Sequence, residues 1–576
     1  MASPQVRING IDYTVEVPRN GHPVTIDYNE QFIEAQSLTG GQTQEGIKGR
    51  STRTFGPWTS GHTYNRVPEK EDGNPLFLKG FWDSDGVQTW FDGDARLPIL
   101  EVDSTEAGLE VIRASVSFKD ELWGMWEDDT STDLVARNFT GSTTTWENGG
   151  DILADGNTKV GLDMIAHQTH LIAGLATTND HVIMRSTDGA TWSAASTPLS
   201  LNELSDNVTA NEDIDAGLLA TIGTEVVWVE WRETSGDITF HSSSDIGDNW
   251  AGEAPGVASG NGPQGVGVIT GIDDALKLYV MAREGLYEVD VAPPTWTVTP
   301  VYPMAPHNDN GRRMVAHNGD LYFAHGVDNN SPAPITRMWN SDGTRHFETG
   351  WGLDVRDGVP DDMLGPIRWM KSAGPWLIAS VGGGTTGRQA RIIVRNTLNP
   401  ETGWHTARKH GTENQKIEWI EYSADDDGTP RLHYSVRTAA ATSNTKSLAN
   451  PLTNPQSGAT INRELTGTLV LPEFDGGMAT TPATFLQQRI NAVDLSASTA
   501  GEYVNANYGV DGAARTTNLE DFLSGAKNLS HASGAGVAGT SYGASLEFHR
   551  NDDTPTTDTP KVRSLEVVYK KIPSEL

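Results

Sequence analysis

Several kinds of side chain in this sequence could carry chemistry, and each has a plainer use. Cleavage of a glycosidic bond needs two carboxylates facing one cleft, and with 76 acidic residues chance pairs abound. Glu230, within the apolar stretch 226–232, and Glu421, within 417–422, interrupt strand-like runs and so could face a central cavity; a strand residue meeting solvent or an arginine would look the same. Asp425, Asp426 and Asp427 before Gly428, and His307, Asn308, Asp309 and Asn310 before Gly311, offer the oxygen ligands of a calcium loop. Neither has EF-hand spacing, and turns call for Asp, Asn and Gly in any case. His167 and His170 flank a predicted hairpin with no third ligand in view, which argues against zinc. Trp228, Trp231, Trp369 and Trp376 could stack on sugars, but the same faces serve to wedge sheets together. No catalytic, cofactor-binding or metal-ligating residue is assigned on these grounds, and no cofactor is expected.

The strongest pattern is structural. Ser243, Asp245, Gly247 and Trp250 fit the Asp-box motif Ser-x-Asp-x-Gly-x-x-Trp in every position, and Ser186, Asp188, Gly189 and Trp192 form a shorter version. In such a turn the Asp carboxylate accepts backbone N–H groups, Gly takes a positive φ, and Trp packs back as the next strand begins. Weaker copies end in Trp90, Trp146, Phe347 and Trp404, and Trp296 after Pro293 and Pro294 holds the same place. These aromatics recur roughly every fifty residues, the period of propeller blades. Within one interval four short strands are expected, clearest at 160–166, 170–175, 181–185 and from Trp192 onward. Arg137, Arg185 and Arg395 recur just before the turns and are taken as solvated or strand-pairing residues.

The pattern predicts an all-β chain: a seven-bladed β-propeller over 76–437, with six or eight blades as near alternatives, followed by a C-terminal antiparallel β-sandwich over 463–576. The closing blade is expected to combine 76–90 with 417–437, which would leave the ring no free edge. Residues 438–462, polar and aperiodic, are expected to be a linker, and 1–75 a segment that packs on the propeller or anchors to a neighbour. Gly 61, Pro 29 and Trp 17 suit short strands and tight turns. A net charge of −34 without a basic run excludes nucleic acid and anionic membrane surfaces as expected partners. With no cysteine, disulfides and thiolate chemistry are excluded. The opening residues lack the charged and apolar regions of a signal peptide, so folding is expected where the chain is made.

The Asp boxes resemble those of sialidase-like propellers and of many propellers that are not enzymes. A sialidase would require three arginines, a Tyr–Glu pair and an Asp; its early Phe-Arg-Ile-Pro motif is echoed only in part by Arg96, Leu97 and Pro98, with Ala95 in place of the aromatic. No second or third arginine can be assigned. The C-terminal region, through Val510, Asp511 and Gly512, Leu546, Glu547 and Phe548, and the run Thr559, Pro560, Leu565 to Tyr569, looks like a domain at the ends of tailed-bacteriophage tail and other virion proteins. That resemblance implies a non-enzymatic structural component of a tailed-phage virion, in or near the tail. It would act through contacts with other virion proteins, as a homo-oligomer in a symmetric assembly, with a host-surface glycan or receptor as a further partner. The alternatives are a sialidase-like or other glycan-active hydrolase, and a glycan-binding adhesin.

Overall fold

The computed structural model of the protein describes residues 50–62 and 80–571 together with the strands Gln5–Ile8, Ile11–Thr14 and Phe32–Ile33, apart from the segments 105–108, 129–133, 141–143, 148, 154–158, 178–180, 195–216, 233–235, 246–249, 251–256, 260–261, 292–295, 352–358, 399–402, 425–427, 438–442, 450–451, 453–461, 475–481 and 552–558. Among these residues, seven antiparallel sheets begin with the inner strands Leu109–Phe118, Lys159–His167, Gly217–Ile222, Gly265–Thr270, Val315–His317, Ile367–Ala373 and Lys416–Ala424, which define blades 1 to 7. Each inner strand abuts the next and that of blade 7 returns to blade 1, so the ring is closed. The protein is a seven-bladed β-propeller.

Blade 2 shows how sequence becomes blade. Its strands are Lys159–His167, His170–Thr177, His181–Ser186 and Ser193–Ala194, and Gln168 at the turn between the first two takes φ 52°. The apolar residues of these strands do not fill one central core. They form wedges between successive blades, such as Leu162, Ile172, Leu219, Val226 and Trp228 between blades 2 and 3. The Trp228 ring fits there because Gly174 and Gly217 carry no side chain: a Cβ at either would lie 2.4 or 2.2 Å from the ring. Trp146, Trp126, Phe139, Trp419 and His433 make the corresponding aromatic wedge between blades 1 and 7.

The closing blade differs from expectation. Its strands are Lys416–Ala424, Pro430–Arg437 and Ser443–Ala449, completed on the outside by Val102–Ser104 rather than by any part of 76–90. The strand Ser443–Ala449 thus lies within the stretch expected to be a linker. The buried row of this third strand is Thr445 and Ser447, both polar, with Leu448 the one apolar residue buried on the other face, while Lys446 faces Glu101 and Asp103; such a strand looks as polar as a loop.

The C-terminal unit is two sheets facing one another across a core that includes Phe55, Trp58, Leu469, Phe485, Val504, Leu546, Phe548 and Val567. One sheet runs Phe32–Ile33, Arg50–Phe55, Lys561–Lys571, Ala483–Val493 and Asn528–Ser530, with Val537–Gly539 also on Ala483–Val493; the other runs Thr517–Phe522, Tyr503–Val510, Tyr542–His549, Thr466–Val470 and Asp83–Asp85. Strands from before the propeller therefore complete both sheets. A charged seam joins the two units: Arg391, wholly buried, reaches Asp83 at 2.6 Å and Asp362 at 3.1 Å, and Arg408 reaches Glu101 at 2.8 Å and Glu464 at 2.6 Å.

Candidate functional site

Inner strands of consecutive blades start on the same face of the ring, so residues at those starts, and at the ends of the strands paired with them, gather around one mouth of the channel. Lys416 opens the inner strand of blade 7 and pairs across the ladder with Arg437; Arg368 is second in that of blade 6; Arg312 lies in the turn before that of blade 5. All four cations act on Glu418. Arg437 Nη1 lies 3.2 Å from its carboxylate, Lys416 Nζ 3.8 Å and Arg368 Nη1 3.9 Å. Burial alone would raise the Glu418 pKa, but Arg312, Lys416, Arg368 and Arg437 together hold it below the usual range, so the carboxylate stays ionised at neutral pH.

Arg312 also meets Asp309, 3.4 Å away in the loop His307 to Gly311. The oxygens of that loop serve the protein itself. Asn310 donates to the carbonyls of Arg283 and Ala305, both at 2.7 Å, and its own Oδ1 accepts from Gly326 N at 2.8 Å. Among the described residues no group of three His or acidic side chains could hold a metal. Asp425, Asp426 and Asp427 lie outside the described residues.

Just within the mouth, Arg313 spans the channel. Its Nη1 is 3.2 Å from Asp163 Oδ1 and its Nη2 donates to Leu162 O at 3.3 Å, both on blade 2, while the guanidinium lies 4.5 Å from the Trp369 ring of blade 6. Asp163 can face inward because the blade 2 ladder slips between Gly161 and Asp163; its other oxygen accepts from Leu219 N of blade 3 at 2.9 Å. Further along the channel wall Lys371 lies 2.6 Å from Glu421, which also accepts from Ser115 Oγ at 2.9 Å.

The structure therefore separates the two carboxylates singled out in the sequence. Glu421 lies among blades 6, 7 and 1, whereas Glu230 is fully buried inside blade 3, accepting from Trp228 Nε1 at 3.0 Å and Thr239 Oγ1 at 3.1 Å and lying 3.1 Å from His241 Nε2. Of the four tryptophans, Trp228 and Trp376 are buried between blades, Trp369 underlies Arg313, and Trp231 donates to Ser259 O at 3.3 Å. His167 is buried beside Gln168, away from the channel mouth. Arg96 lies at the junction with the C-terminal unit, ion-paired with Asp92 and close enough to Arg463 to help burial push that guanidinium down to about 10. It cannot join an arginine clamp at the channel.

The Asp-box turns are local staples. Asp188 Oδ1 accepts from Thr191 N at 2.7 Å, Ala190 N at 3.0 Å and Ser186 Oγ at 3.0 Å, and these bonds hold its carboxyl below the ordinary range. Ser186 Oγ accepts from Gly189 N at 2.8 Å, and Trp192 Nε1 donates to Gly189 O at 2.9 Å. Gly189 has φ 74°, and a Cβ there would meet the Trp123 ring of blade 1 at 2.2 Å. In the second box Ser243 Oγ donates to Asp245 at 2.7 Å and Trp250 packs between blades 2 and 3, while Gly247 lies outside the described residues. Neither box lies at the mouth. The cluster at the mouth has a faint sequence signal, a basic residue close to the start of three inner strands.

No protein-family model and no curated protein matches the chain. Among solved structures, YCF48 from Cyanidioschyzon merolae aligns at 12% identity over 60% of this chain and 98% of that one, with a TM-score of 0.37. The polysaccharide lyase Uly1 aligns at 9% over 69% and 99%, with a TM-score of 0.36. The α-L-arabinofuranosidase Arb93A from Fusarium graminearum aligns at 10% over 60% and 98%, with a TM-score of 0.32.

Proposed function

We propose that this protein is a glycan-recognising propeller whose channel mouth binds the acidic group of a saccharide. The observation that carries this reading is the convergence of Arg312, Arg368, Lys416 and Arg437 on one ionised carboxylate, Glu418. A chain of net charge −34 repels anions at long range, so a local concentration of cations is where an anionic group gains most at contact. Guanidinium forks favour a carboxylate, which they bind in two-toothed fashion. Asp309 and Lys416 at the rim supply partners for sugar hydroxyls.

Glu418, held ionised, cannot protonate a leaving group, so turnover at this mouth would need a separate general acid. Calorimetry with sialylated and uronate oligosaccharides and their neutral analogues tests the reading. Binding of the acidic forms alone is expected, weakened at least tenfold in Arg437→Ala; equal binding of neutral and acidic sugars, or none of either, would refute it. Release of product from fluorogenic sialosides would instead favour the hydrolase.

The resemblance of the C-terminal region to virion proteins suggests the setting: a structural component of a tailed-phage particle, placed beside other virion proteins and facing a host-surface glycan. Mass spectrometry of purified particles from the source genome should then detect the chain, and its absence would remove that setting.

A further inference from the structure

Blades 5 and 2 stand three steps apart, the greatest separation a ring of seven allows, yet Arg313 of blade 5 and Asp163 of blade 2 meet at 3.2 Å. An ion pair between opposite walls must cross the channel. Three contacts from different directions hold the guanidinium there: the Asp163 carboxylate, the Leu162 carbonyl and the face of Trp369. Asp163 is tied in turn to Leu219 N of blade 3, so the crossing draws on blades 2, 3, 5 and 6. Both Arg313 and Asp163 are mostly buried, with 12% and 13% of their side chains exposed. Arg313 also follows Arg312 directly in the chain, which puts the crossing immediately beneath the cations of the mouth.

We infer that the Arg313–Asp163 pair is the floor of the binding site and its specificity determinant: it makes the mouth a blind cup that takes the acidic residue at the end of a saccharide chain and rejects one in the middle. This rests on the proposed function and adds the class of ligand. A chain bound through an internal residue must leave the site in two directions. In a channel open at both ends one arm could run on through the ring, but here a buried ion pair stands in that path, and removing one partner would leave the other charge desolvated. An end residue needs no second exit.

The experiment compares two oligosaccharides of equal length and charge, one with its single acidic sugar at the non-reducing end and one with it in the centre, bound to the full chain. The wild-type protein is expected to prefer the terminal form by at least tenfold. Arg313→Ala is expected to bring that ratio close to one by opening the path. Asp163→Asn, which keeps the shape of the side chain and an oxygen for Leu219 N, is expected to lower the ratio in the same direction and guards against a folding defect in the first variant. Being a ratio, it does not change with the fraction of protein that is folded. Equal wild-type affinity for the two forms, or a ratio unaltered in both variants, would overturn the floor while leaving the mouth as an acidic-sugar site. If the wild type binds neither form, the proposed function itself fails, and this inference with it.

Discussion

The junction between propeller and C-terminal unit should loosen in mild acid, well before its carboxylates are protonated. His62 and His405 are both buried there and each is locked as the neutral ring. His62 Nδ1 donates to Trp82 O at 3.1 Å, so its Nε2 must accept from Thr406 Oγ1 at 2.7 Å, and Thr406 Oγ1 accepts from Arg391 Nη1 at 3.3 Å. His405 Nδ1 lies 2.8 Å from Thr89 Oγ1, and its other nitrogen donates to the Thr59 carbonyl. A second proton on His62 would add a buried positive charge beside Arg391, and one on His405 would add it beside His62 and Arg395. Burial first, then Arg391, lowers the His62 pKa from 6.5 to about 4 against the opposing pull of Asp83; burial and His62 lower His405 to about 3.

Because the unfolded chain binds these protons more readily, stability is lost as pH falls from about 6.5 towards the folded pKa. For His62 the linkage relation gives about 2 kcal/mol lost at pH 5 and about 3 kcal/mol at pH 4. The loss from His405 is of similar order and coupled to it, so the two do not simply add. Asp83 and Asp362, whose pKa values are lowered by Arg391 and Lys409 against burial, contribute their losses only below their ordinary value of 3.8, outside this window. Thermal unfolding followed from pH 7.5 to 4.5 is the assay. His62→Gln, whose amide can donate to Trp82 O and accept from Thr406, should flatten the fall in transition temperature between pH 6.5 and 4.5. If the wild type and His62→Gln lose stability in parallel over that range, the assignment of the acid-sensitive step to this junction is wrong.

Trp228→Ala should cost about 3–5 kcal/mol by emptying the wedge between blades 2 and 3, measured by denaturant unfolding. Gly174→Ala approaches the same wedge from the other side: its new methyl would press on the Trp228 ring, for a loss of about 1–3 kcal/mol in the same assay. Arg391→Met should cost about 3–5 kcal/mol, since it strands Asp83 and leaves Asp362 with Lys409 alone; Asp83→Asn in the same background should recover part of that loss in a double-mutant cycle.

The propeller was legible because its turns obey local rules. Trp192, Trp296 and Trp404 each sit immediately before an outermost strand, and Trp146 and Phe347 within one, so a large ring recurs at the same place in five blades. The closing blade was misplaced because Val102–Ser104 is three residues long and carries no motif, while Asp83–Asp85 looks like a degenerate Asp box and is instead an edge strand of the C-terminal unit. Arg50–Phe55 alternates no apolar residues, because what fixes it is a partner strand some five hundred residues later. The mouth cluster left only a faint signal for a related reason. Arg312, Arg368, Glu418 and Arg437 are brought together by the packing of blades 5, 6 and 7, and no short window of sequence contains them all.

That long-range pairing also fixes when the protein can become whole. Arg50–Phe55 emerges early in synthesis with only the two-residue strand Phe32–Ile33 to pair with on one side, and its other edge has no partner until Lys561–Lys571 follows; Val102–Ser104 must wait for Ser443–Ala449. At ordinary elongation rates of about 5–20 residues per second, the first of these strands is held open for on the order of a minute while seven blades form behind it. During that interval its unpaired edge and the half-built apolar faces around Trp58 are what a chaperone would find to hold, and what neighbouring nascent chains would find to join.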